Sequence, residues 1–123
     1  MPLQKYDDLR ARTKVYGLRI IRGYGASPKT TEAQVIGRQM LRSGAAVGAY
    51  YREADRAKST AGFVSKMKGG LQELDETAYW LELLVEAGIV PAPKLDELRR
   101  ETEELIAIFV ASVKTAKKNQ RRR

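Results

Sequence analysis

Apolar and semi-polar side chains recur at Tyr6, Leu9, Thr13, Tyr16 and Ile20, in steps of three and four that line one face of a helix. This first helix is expected to end near Tyr24. The following GYGASPKT segment supplies two glycines, a serine and a proline, which stop helices through backbone freedom and a missing amide donor. Thr31 and Gln34 then stand at capping-box spacing and predict a second helix, with a stripe of Ile36, Met40, Ser43, Val47 and Tyr50 or Tyr51. It fades into READRAKS. Ser59 is a suitable N-cap for a third helix with inward positions Phe63, Met67, Gly70, Leu74, Ala78, Leu81 and Val85, and Gly88 is its expected stop. Pro93 suits the first position of a fourth helix, whose seam is Leu95, Leu98, Thr102, Leu105 and Phe109. Asp96 and Glu97 are assigned to its first turn and lysines to its last, in the sense that the helix dipole favours.

No segment alternates as a strand does. The prediction is an all-α, antiparallel up-down four-helix bundle over residues 1–113, followed by a basic tail at 114–123. A length of 123 residues suits one domain, and 43% apolar with 31% charged residues is enough for both a core and a solvated surface. Two stretches exceed what one seam can bury: WLELLV around Trp80 and Leu84, and LIAIFVA around Ile106 and Phe109. They predict either contact with another subunit or unusually deep burial within the bundle.

Cysteine and histidine are both absent, which removes disulfides, thiol nucleophiles, histidine-based triads and histidine-bearing metal sites. No catalytic residue, metal or cofactor is therefore expected. No run approaches the roughly 20 apolar residues of a membrane span, and MPLQKYDDLR lacks a signal-peptide core, so the cytoplasm is the expected compartment.

The net charge of +8 conceals three blocks. Residues 1–68 carry 14 cations and 5 acids, residues 69–113 carry 3 and 10, and residues 114–123 carry 6 and none. Lys5, Arg12 and Arg19 repeat every seven residues on one face of the first helix, with Arg22 beside them. This stripe reads as a solvated face or, with the tail, as a phosphate-binding surface. Lys114, Lys117, Lys118, Arg121, Arg122 and Arg123 make the tail resemble a disordered nucleic-acid-binding arm, and a merely solubilising end is the alternative. Gly44 and Gly48 are one turn apart in SGAAVGA and predict close helix packing; no GKS or GKT ending makes them a phosphate loop. Glu73 and Glu76 could form half of a bundle metal site, but without histidine partners an ion pair with Arg42 or Arg52 is the expected role.

The text from Ile36 to Val90 resembles the bacterial 23S rRNA intervening-sequence proteins. The resemblance is carried by QMLRS at Gln39 to Ser43, VGAYYREA at Val47 to Ala54, Phe63, ETAYWL at Glu76 to Leu81, and Gly88. The sequence departs from the family's phrases at Ala46 and Tyr50, where serine and asparagine are usual. The resemblance implies a four-helix bundle assembled as a homopentamer, with no catalytic residue. Similar bundles act as accessory variability proteins of diversity-generating retroelements, alongside a reverse transcriptase and its RNA. The function expected is therefore non-enzymatic binding of RNA or DNA through phosphates. The alternative is an interaction scaffold that recruits a protein such as a reverse transcriptase.

Overall fold

The computed structural model describes residues 9–122, so the positions assigned to Tyr6, Lys5 and Arg123 lie outside the described residues. Four helices follow one another: α1 (Leu9–Ala26), α2 (Thr31–Asp55), α3 (Thr60–Glu86) and α4 (Ala92–Arg121). Each packs on its neighbour in the chain, and α1 also meets α4, which closes an all-α bundle. Among the described residues no helix is long and apolar enough to cross a membrane.

The helix ends show how local chemistry sets the boundaries. Thr30, not Thr31, caps α2: its hydroxyl accepts from the Ala33 amide at 3.3 Å, so Gln34 falls one position too late for a capping box. Ser59 caps α3 as expected, accepting from the Gly62 amide at 3.0 Å. At the other end of α3 the Gly88 amide donates to the Val85 carbonyl and the Ile89 amide to the Leu84 carbonyl, both at 3.0 Å. This pair of bonds needs the left-handed backbone of Gly88, at φ 72°. Pro91 caps α4 and Pro93 is its second residue, which leaves Asp96 and Glu97 beyond the first turn.

The core seams of α1, α2 and α4 follow the expected positions, with Leu9, Thr13, Tyr16 and Ile20 all buried on α1 and Leu95, Leu98, Thr102, Leu105 and Phe109 on α4. On α2, Ile36 is only partly buried. On α3 the buried positions are Val64, Met67, Gly70, Leu74, Thr77, Leu81 and Leu84, so Phe63, Ala78 and Val85 are each displaced by one residue from the core. The reason is periodicity. From Met67 onward the observed seam advances in alternating threes and fours, the spacing of a supercoiled helix, whereas a straight-helix stripe drifts off the seam over several turns.

A chain of hydroxyls crosses this apolar interior. Tyr16 on α1 meets Thr102 on α4 at 2.7 Å and Ser43 on α2 meets Thr77 on α3 at 2.7 Å, with Thr77 near enough to Tyr16 to affect its titration. Thr102 and Thr77 donate back to the Leu98 and Glu73 carbonyls, each 2.8 Å away. Each helix thus contributes at least one buried hydroxyl with a partner, and that pairing makes their burial tolerable. Burial pushes the Tyr16 phenol up to about 12, against the smaller downward pull of its bond with Thr102 and of nearby Thr77.

Candidate nucleic-acid interface

Antiparallel packing converts the charge blocks of the sequence into a polarised molecule. The end formed by residues 9–14, 51–70 and 109–122 carries 13 cations and 2 acids, with Arg12 paired to Glu101 and Glu104 just beyond it and Lys66 to Glu53, whereas residues 15–50 and 71–108 carry 8 cations and 11 acids. Basic segments remote in sequence, around residues 52–68 and 114–122, therefore share one end of the bundle.

At that end α4 does not stop at residue 113. It continues without a break to Arg121, which replaces the expected disordered tail with a helical extension. Lys, Ala, Gln and Arg are good helix formers, Val113 and Ala116 still pack on the core, and cations in the last turn suit the helix dipole. Lys114, Lys117, Lys118, Arg121 and Arg122 are exposed on this extension. Lys117 comes into side-chain contact with Lys68 of α3, and this neighbour lowers its pKa, with a smaller push from Arg121. None of these three cations forms a salt bridge among the described residues. Lys68 carries no signal in the sequence because its partner is 49 positions away.

The helix-one cations are engaged differently. Arg12 forms a two-pronged pair with Glu101, at 2.6 and 3.2 Å, and reaches Glu104 at 3.6 Å; Arg19 lies 3.7 Å from Glu97. These contacts tie α1 to α4: Arg12 is held in a close, largely buried pair, whereas Arg19 makes only a long pair at the surface with exposed Glu97. Arg22 is exposed at the far end of the molecule from the α4 extension. The stripe does not act as one surface.

Arg42 holds Glu73 at 3.3 Å and Glu76 at 2.7 Å, so that both carboxylates serve one guanidinium. Arg52 takes no part in this cluster; the second α2–α3 pair is Glu53 with Lys66 at 2.9 Å, and the bond to Glu53 raises the pKa of Lys66. Gly44 and Gly48 face α1: a Cβ on Gly44 would meet Ile20 at 2.7 Å, and one on Gly48 would sit 3.5 Å from the Thr13 backbone. The Tyr50 ring lies over Gly69, and the Phe109 ring occupies the space a Gly70 side chain would need. Phe109 and Leu84 are buried, and Ile106 is partly buried against the core. Trp80, expected either in contact with another subunit or deep in the bundle, is half-buried against the core beside Tyr79, with ring centres 5.2 Å apart.

A cleft of about 380 Å³ opens at the basic end, walled by Tyr51, Phe63 and Met67 with Asp55 and Asn119 at its edge. Past Phe63, Ala116 and Asn119 it continues into a hollow of about 420 Å³ that includes Lys58. Phe63, expected in the core, thus forms the wall between two recesses.

No protein with a curated description matches the chain. Among solved structures, a protein of unknown function from the S23 ribosomal protein family of Bacteroides thetaiotaomicron is 29% identical, with a TM-score of 0.81, over 86% of this chain and 98% of its own. The family model described as "23S rRNA-intervening sequence protein" matches residues 9–111, the span of all four helices up to the start of the basic extension. The chain belongs to the 23S rRNA-intervening sequence protein family.

Proposed function

We propose that this protein is a non-enzymatic, oligomeric accessory factor of the bacterial cytoplasm that binds RNA or DNA through phosphate contacts. The observation that carries the reading is the basic end, where 13 cations stand against 2 acids and Lys68 lies near enough to Lys117 to lower its pKa. Phosphates supply the missing negative charge, and the release of their counterions drives binding. The working unit is a homopentamer. The charge polarity supports this, because a heterologous contact can set basic against acidic surface around a closed ring. Light scattering at micromolar concentration tests it, and a mass near 13.8 kDa would refute the assembly.

Salt dependence of binding to a single-stranded RNA tests the function. Six cations at positions 114–123 give a slope of log K against log salt of about −4 per chain, or roughly 300-fold weaker binding over a fourfold rise in salt. Deleting residues 114–123 should flatten the slope. An unchanged slope, or no binding at low salt, favours the second reading. That reading is an interaction scaffold for a protein such as a reverse transcriptase, and it is supported by the exposed Val15, Leu18 and Ile21 on α1.

A further inference from the structure

We propose that the cleft at the basic end accepts an unstacked nucleobase of a single-stranded nucleic acid, while phosphates of the same strand lie on Lys58 and on the cations of α4. This inference rests on the phosphate-binding reading and adds to it a contact that reaches the base. The cleft's volume of about 380 Å³ lies within the range of small-ligand sites, about 300 to 1,000 Å³. Its composition suits a planar heterocycle: half-buried Phe63 offers aromatic surface for stacking, and buried Tyr51 and Met67 back the apolar wall behind it. Two polar groups stand at the edge. The Asp55 carboxylate accepts from exocyclic amines, and the Asn119 amide both donates and accepts. Asp55 forms no salt bridge among the described residues, whereas the Ser112 hydroxyl, also in the wall, is committed to the Ile108 carbonyl at 2.9 Å.

Charge selects the occupant. An apolar cleft by itself would suit many ligands, but this one opens where cations outnumber acids 13 to 2, and its continuation past Phe63 brings Lys58 beside the same aromatic ring. A strand that threads the two recesses places a base on one side of Phe63 and a phosphate by Lys58 on the other. Duplexes do not fit this arrangement, because their bases are stacked and paired; a single strand can splay a base outward. Phosphate contacts alone draw no distinction between a strand with bases and one without them.

The test compares the full chain's affinity for a labelled single-stranded DNA and for an abasic strand of equal length, by fluorescence anisotropy across a salt series. Loss of a stacked base should weaken binding by about 5- to 150-fold while leaving the salt slope unchanged. Ala116→Trp, which fills the neck between the recesses, should reduce the base-bearing strand to the affinity of the abasic one and leave the abasic strand unaffected. Phe63→Ala should do the same in part, and thermal melting checks that both variants remain folded. Equal affinity for the two strands would overturn the base contact while leaving phosphate binding intact. So would a folded Ala116→Trp variant that binds both strands as the wild type does, or an equally tight duplex. Absence of binding to either strand would overturn the phosphate reading and this inference together.

Discussion

The phenol of Tyr16 lies 2.7 Å from the Thr102 hydroxyl, joining α1 to α4 inside the core. The link matters because α1 and α4 approach each other least closely of the adjacent helix pairs, so long side chains span the gap between them. Arg12 and Glu101 do the same nearer the surface.

Tyr16→Phe should therefore cost about 1 kcal/mol at neutral pH, the net worth of one buried hydrogen bond. Its effect on pH dependence should be larger. The phenol's folded value of about 12 exceeds its ordinary value of 10.0, so above pH 10 the unfolded chain loses its proton first and stability falls as pH rises toward 12. Two units correspond to about 3 kcal/mol, all of it present below pH 10. Chemical denaturation at pH 8 and pH 11 should show a smaller loss in the variant than in the wild type.

Two glycines should respond to alanine with opposite signs. At Gly17 a Cβ meets nothing, so Gly17→Ala should stabilise the protein by about 1 kcal/mol through helix propensity. At Gly44 a Cβ would lie 2.7 to 2.9 Å from three Ile20 atoms, and overpacking of about 1 to 3 kcal/mol should outweigh that gain. Ile20→Val should partly rescue Gly44→Ala. Melting temperatures of the variants check both signs.

Phe109→Ala should lose about 3 to 5 kcal/mol, because the ring is fully buried over Gly70 and its removal leaves a cavity between rigid backbones. A loss below about 1 kcal/mol by urea denaturation would be a surface-type response and would contradict the packing.

Arg12 and Lys117 should separate stability from binding. Arg12→Gln leaves half-buried Glu101 without its two-pronged partner and should lower stability by about 1 to 2 kcal/mol with little change in RNA affinity. Lys117→Gln relieves a like-charge contact, so it should keep or raise the melting temperature while weakening RNA binding. Reversal of either pattern would place the phosphate contacts on α1.

Helix number, order and most of the seams are legible in the chain, because spacing of apolar residues, the Ser59 cap and the Gly88 stop are local properties of consecutive residues. The family phrases were legible for the same reason. The first-turn cap of α2 was off by one because Thr30 and Thr31 are chemically equivalent until the backbone selects one. The rest depends on tertiary structure. Phe63 lies one residue off the observed α3 seam, since a period shared with neighbouring helices cannot be read from one helix alone. Packing chose Glu101 for Arg12 and brought Lys68 to Lys117, pairings set by distance in space rather than along the chain. Which residues are charged and which apolar is a property of the chain alone, but the basic segments around residues 52–68 and 114–122 meet at one end, around a cleft walled by aromatic rings, because distant parts of the chain pack antiparallel.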